Sequence, residues 1–503
     1  MKSFKLPLVL AAGLLTSSAF AADPSSPTQI DPRLYDSYAQ TGSGLPPVQA
    51  AVPQEEAYEL RGLPPQEAAQ EASAEEGPNR YLETEFLTNR GIKTYGWVDA
   101  GIGANNWASP FNGPITFNDR NWQGQMNQLY LVNEKLVDTE NGLDWGGRVD
   151  LLYGTDYIYT TARGLDGFLG NQATGVYGPG SAAGAPSWAS SKDYGLAMPQ
   201  LYGELGYGNH IVKAGHFYTI IGYEVVPAIG NFFYTHAYTM QYGEPFTHTG
   251  ILDTWTPNDQ LTVYAGITNG WDNFSDPINS QGILNPGSIN ANSNAAFLGG
   301  VSFKNSDQTQ ALTSTVSSGN EPVFFANAPQ NIGNRSIWSN VYTNELSDKV
   351  TYVFQNDNGW QFNANTGLQN QGQMAGLAQW YGINQYLFYT VSDTLVAGMR
   401  VEWFRDNNGY RVFAPIRNYW VGGPNQSGFQ GNFFQATWGL NWKPTRNWII
   451  RPELRYDWYS PDNMAGARSG SAPLPFGPNF GRLANGGSEY GQLYGGCDAI
   501  WQF

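Results

Sequence analysis

Cysteine is almost missing: Cys497 is the only one in 503 residues. One thiol excludes an internal disulfide and the multi-thiolate sites of zinc ribbons and iron–sulfur proteins. Basic residues are scarce too. Lys plus Arg number 26 against 42 Asp plus Glu, a net charge of −16 that argues against a nucleic-acid partner. All charged residues together reach only 14%, far below the roughly 25% of an ordinary globular chain, so something other than Lys and Glu makes the surface. After the first twenty or so positions there is no run of about 18 uncharged apolar residues, which excludes a helical membrane anchor in the mature chain. Neither a phosphate-cradling Gly loop nor a Gly-x-Ser-x-Gly elbow occurs. The four histidines, His210, His216, His236 and His248, show no metal-ligand spacing, and Asp272-Asn273-Phe274-Ser275-Asp276 lacks the glycine and distal Glu of a calcium loop. No metal and no cofactor are expected.

The chain is rich instead in glycine (60) and aromatics (15%), the latter out of proportion to its charge. It opens with Lys2, Lys5, an apolar run Leu6–Leu15 and Ala19-Phe20-Ala21, the pattern of a cleaved signal peptide over residues 1–21. Residues 22–90 are Pro-, Ala-, Gln- and Glu-rich, with 12 Asp plus Glu against 4 Arg and no sustained apolar period. They are expected to form a disordered acidic arm, with at most a short helix near Gln66–Glu76 between Pro64-Pro65 and Gly77-Pro78.

From 91 to 503 the texture becomes strands of about ten residues separated by turn-forming clusters. Alternation gives each strand two unlike faces. In Leu395–Arg405 one face is Leu395, Ala397, Met399, Val401 and Trp403, the other Gly398, Arg400 and Glu402. In Trp448–Trp458, Ile450, Pro452, Leu454, Tyr456 and Trp458 oppose Arg451, Glu453, Arg455 and Asp457. Phe429–Trp442 and Trp145–Tyr153 behave likewise, the latter setting Arg148 and Asp150 against Val149, Leu151 and Tyr153. A soluble sandwich also alternates, but its polar face would carry Lys. Tyr and Trp at both ends of apolar strand faces are what a membrane interface selects. The chain ends on Trp501 and Phe503, with Ala499, Cys497 and Leu493 on the same side, a closing strand of the type read by the barrel-assembly machinery. Seven short turns alternate with eight long loops, predicting an all-β, antiparallel transmembrane β-barrel of about sixteen strands, with fourteen to eighteen as the range.

Several stretches carry a family resemblance: Gly215-His216-Phe217 with Gly222-Tyr223-Glu224, Asn231-Phe232-Phe233-Tyr234-Thr235-His236, and Glu244-Pro245-Phe246-Thr247-His248-Thr249-Gly250. Further on come Asn269-Gly270-Trp271-Asp272, Trp380-Tyr381-Gly382-Ile383-Asn384-Gln385-Tyr386, Glu402-Trp403-Phe404-Arg405-Asp406, and Gly439-Leu440-Asn441-Trp442-Lys443-Pro444 with Arg451-Pro452-Glu453. Together they resemble the beta-barrel porins of the OmpL-like type over nearly everything after Thr94; the acidic arm lies outside. The resemblance implies a Gram-negative outer-membrane porin that passes small polar solutes and ions, contacts outer-membrane lipid and leaves the arm in the periplasm. A homotrimer is compatible with it.

Between Lys213 and Lys304 there is neither Lys nor Arg, while Glu224, Glu244, Asp253, Asp259, Asp272 and Asp276 are present. This run holds the third long loop, which in sixteen-stranded porins folds into the lumen. Glu224 and Glu244 are therefore expected to line a constriction facing Arg148, Arg400, Arg451 and Arg455, with Asp150, Glu402, Glu453 and Asp457 also facing the lumen. Cation preference would follow. The alternative is that these wall charges pair across neighbouring strands as structural ladders. Rival functions are a plugged receptor or a barrel enzyme with Ser and His on its wall, and a secreted carbohydrate-active β protein.

Overall fold

A computed structural model describes residues 78, 81–162, 164–166, 188, 190–191, 193–275, 295–323, 331–365, 375–412, 428–462, 474–478 and 487–503. The signal segment, most of the acidic arm and the helix expected at Gln66–Glu76 lie outside these residues. The arm's last ten positions do not behave as a disordered tail. They form a helical turn, α1 (Glu85–Thr88), and the Tyr81 ring lies 6.3 Å from that of Trp501.

The strands run β1 (Ile92–Asn105), β2 (Gln125–Lys135), β3 (Asp144–Gly154), β4 (Gly195–Tyr207) and β5 (His210–Tyr218). Then come β6 (Thr247–Asn258), β7 (Leu261–Thr268), β8 (Ala296–Lys304), β9 (Gln310–Val323), β10 (Asn331–Ser347) and β11 (Val350–Asn365). The last five are β12 (Ala375–Ser392), β13 (Leu395–Asp406), β14 (Gly431–Thr445), β15 (Trp448–Pro461) and β16 (Gly491–Gln502). Each pairs antiparallel with its sequence neighbours, and β1 pairs with β16, closing a sixteen-strand barrel. Closure extends to the last residue: Phe503 N–H donates to the Gly96 carbonyl and Gly96 N–H to that of Phe503, both at 2.9 Å.

Alternation falls as the sequence predicts. On β15, Ile450, Pro452, Leu454, Tyr456 and Trp458 face outward, while Arg451, Glu453, Arg455 and Asp457 are buried inside. Leu205, Ile251, Ile267, Phe297, Leu387, Trp438 and Leu440 stand exposed on the outer surface. Water would make so large an apolar exposure unfavourable, whereas hydrocarbon accepts it. The main departure is at β9–β12, which run further than expected. The Gly-, Ser- and Asn-rich ends near Ser318–Asn334 and Asn358–Gln379 read as loops, yet Gly333 pairs with Glu321 and Asn358 with Tyr381. Ladder hydrogen bonds come from the backbone, so polar side chains do not end a strand that rises beyond the apolar belt.

Candidate functional site

The long connections gather at one end of the barrel, and the third of them, L3 (residues 219–246), turns inward. Its path is set locally by Asn231, whose side chain accepts from Val225 N–H and donates to the carbonyls of Val225 and Pro227. Gly222 is required at its bend: its φ is +84°, and a Cβ there would lie 2.0 Å from a Glu244 carboxylate oxygen. A π-helical turn, Thr239–Gly243, follows.

Charged side chains on the inner wall hold L3 by its backbone. Glu402 on β13 accepts from Tyr238 N–H (2.8 Å), Thr239 N–H (2.7 Å) and the Thr239 hydroxyl (2.7 Å). Glu453 on β15 accepts from Tyr234 N–H and Thr235 N–H. The arginines take the complementary carbonyls: Arg400 that of Thr235, Arg451 those of Ala228 and Asn231, and Arg455 that of His236, all at 2.7–2.8 Å. Their remaining donors go to carboxylates, Arg400 to Glu224, Arg451 to Asp498 and Arg455 to Asp457. Asp457 also accepts from the Tyr238 hydroxyl. Gly398, between the charged positions of β13, leaves room for Phe232 of L3, where a Cβ would stand 2.4 Å from the ring.

The expected partners therefore meet only in part. Glu224 does face an arginine, with Arg400 Nη1 at 2.6 Å, and also accepts from Ala237 N–H and the Tyr386 hydroxyl. Burial alone would raise this carboxyl, but Arg400, His236 and the Ala237 amide outweigh it and hold its pKa at about 2. Glu244 corrects the expectation: it faces no arginine. Gln355 donates to it at 2.6 Å, and Asp357 is its charged neighbour. Burial first and then that second carboxylate raise the Glu244 pKa well above the ordinary value. Arg148 likewise meets neither loop glutamate, binding Glu134 and Asp150 on its own wall. The ladder alternative is also incomplete, because three of the four arginines bind L3 carbonyls besides their carboxylates.

The sequence reading missed what lies above L3. Phe117 of the first loop stacks on Tyr159 and meets the His236 ring at a tilt, 4.4 Å between centres. Thr116 N–H donates to Gln241, and the Tyr242 hydroxyl to the Pro114 carbonyl. Tyr159 belongs to α2 (Tyr157–Thr160) in the second loop. Three loops thus pack together against β1–β3 and β13–β16, leaving a cavity among Asp99, Asp156, Tyr234 and Arg451 with room for about one water. Loop–loop packing has no periodicity, so nothing in the sequence signalled it. Among the described residues no three His, Cys, Asp or Glu side chains converge to hold a metal ion. His216 meets the Thr249 hydroxyl, His248 that of Thr219, His236 binds Glu224, and His210 pairs with Asp253 near a turn.

Comparison with known proteins adds the following. A family model described as "Putative beta-barrel porin-2, OmpL-like" matches residues 91–503. Among solved structures, the anion-selective porin of Comamonas acidovorans aligns with a TM-score of 0.50 at 9% identity, over 82% of this chain and 99% of that porin. The outer membrane channel DcaP of Acinetobacter baumannii gives 0.48 at 10% identity, over 85% of this chain and 100% of its own. At such identities the likeness concerns the fold alone. No curated protein matches the sequence.

Proposed function

The chain belongs to the OmpL-like beta-barrel porin family, a group of the outer membrane, and from that premise we propose that it forms a water-filled channel for passive diffusion of small polar solutes and ions. The observation that carries this reading is the closed sixteen-strand wall, apolar outside and polar inside. A wall of that size leaves an aqueous interior wherever loops do not fill it. On this reading the acidic arm lies in the periplasm. Cation preference is part of the proposal. It rests on the absence of Lys and Arg from 214 to 303 and on the pairing of Arg148, Arg400, Arg451 and Arg455 each with a carboxylate.

The test is single-channel conductance of the refolded protein in a planar bilayer under a salt gradient. Long-lived stepwise openings with a cation-selective reversal potential are expected. Replacing Glu224 and Glu244 together by Gln should move that potential towards anions; an unmoved potential would sink their part in selectivity. The packing of the first three loops favours one other reading, a barrel closed at rest. Insertion without conductance would decide for it.

A further inference from the structure

Two arginines at the long-loop end take no part in holding L3 through carboxylates. Arg335 lies near the outer end of β10 and Arg411 in the loop after β13, where the Asp406 carboxylate accepts from the N–H groups of Asn408, Tyr410, Arg411 and Val412 and turns the chain. Both guanidiniums sit on the same indole: that of Arg335 is 5.0 Å and that of Arg411 5.4 Å from the Trp271 ring centre. Arg411 is also 4.8 Å from the ring of Trp380, which meets Trp271 edge to face.

Their polar contacts are few. Arg335 Nε donates to Gln361 Oε1 at 2.6 Å and its guanidinium also meets the Tyr410 hydroxyl, while Arg411 Nε donates to the Tyr242 carbonyl. Neither forms a salt bridge among the described residues, although a guanidinium offers five donors. The nearby carboxylates are already engaged by backbone: Glu321 by Trp271 N–H, Asp272 by Phe246 and Thr247 N–H, and Asp406 by its loop. A third group has the same deficit. Gln361 is fully buried, its Oε1 accepts from both Arg335 and the Tyr410 hydroxyl (2.9 Å), and its Nε2 has no acceptor. Turning the amide over would set Nε2 against the Arg335 donor, so its orientation is fixed. A buried amide donor left without an acceptor is costly, and here it stands beside two guanidiniums that have no carboxylate partner among the described residues.

We propose that Arg335, Arg411 and the Gln361 amide form a binding site for the carboxylate of a small organic acid at the outer end of the barrel. Contact with the indole positions each guanidinium, and a planar fork with no carboxylate partner suits a two-oxygen acceptor. Within the channel reading this is a solute subsite, passing an acid that general negative charge would otherwise repel. The site itself does not depend on conductance.

Fluorine NMR of fluoroacetate, with fluoroacetamide as its neutral counterpart, tests this on the full-length folded protein in detergent. Saturable broadening of the fluoroacetate line is expected, none for the amide, and competition by acetate. Replacing Arg411 by Gln should weaken binding about tenfold or more, and the pair R335Q/R411Q should abolish it. R411K, which keeps charge but not the fork, should fall between and guards against a variant that fails to fold. Equal binding of the amide, absence of fluoroacetate binding to the wild-type protein, or unchanged affinity in folded R335Q/R411Q would each overturn the proposal. Inorganic phosphate competing better than acetate would reassign the site to a general oxyanion and overturn the carboxylate claim. Binding without conductance would keep the site and remove the channel; conductance without binding would do the reverse.

Discussion

The two halves of the barrel's inner wall do different work. From β11 through β16 to β2 the inward side chains are charged or amide-bearing, and the hydrogen bonds described for L3 run to β2, β11, β12, β13 and β15. On β7–β10 the inward polar positions are mostly hydroxyls, Thr262, Ser302, Thr315, Ser317 and Ser339, which bond locally, as Ser339 does to Asp357, and the charges there, Glu321 and Arg335, stand near the outer end. Charge on a porin-like wall is thus not evidence of a charged passage. Here most of it fixes a loop's backbone, and none of the L3 hydrogen bonds described above runs to β7–β10.

The comparison breaks most visibly at the arginines. Arg400 and Arg455 are fully buried, and replacing either by Met strands its carboxylate and the L3 carbonyls. Each should cost about 3–5 kcal/mol, read from denaturant unfolding in lipid. Replacing Glu402 and Glu453 together by Gln keeps shape but weakens four L3 amide contacts, each by about 1–2 kcal/mol. If the staple fixes L3, unitary conductance should rise severalfold; unchanged conductance with unchanged noise would show that L3 holds without it.

Acid and base should act on the two loop glutamates with opposite sign. Glu224, held down at about 2, contributes stability present above the ordinary carboxylate value of 4.5 and lost as pH falls towards 2. Glu244, raised by burial and Asp357, contributes stability present below 4.5 and lost as pH rises through its elevated value. Unfolding midpoints against pH should therefore lose their acid-side fall in E224Q and their rise-dependent loss in E244Q. The smallest effect belongs to the hydroxyl half, where Thr315→Val should change stability by less than about 0.5–1 kcal/mol and leave conductance steps intact.

The barrel was legible because a two-residue period survives any tertiary context: Arg148 and Asp150 on β3, Arg400 and Glu402 on β13, and Arg451, Glu453, Arg455 and Asp457 on β15 all lie on the inner face. Glu224 opposite Arg400 was legible too, through the missing Lys and Arg around L3. That Glu244 meets Asp357 was not, since two acids 113 positions apart carry no sign of proximity. Nor was the use of Glu402 and Glu453 on backbone amides, because any L3 sequence offers N–H groups. Polar strand ends on β9–β12 misled for a related reason: the ladder is made by atoms every residue has.

The staple also fixes an order of events. Glu453 grips Tyr234 across 219 residues and Arg400 grips Glu224 across 176, and the final Phe503 seals the seam with Gly96. The contacts that hold L3 therefore cannot all form until the last quarter of the polypeptide is present. The entropy of closing such long loops grows only slowly with length, so distance makes the step late without making it unfavourable.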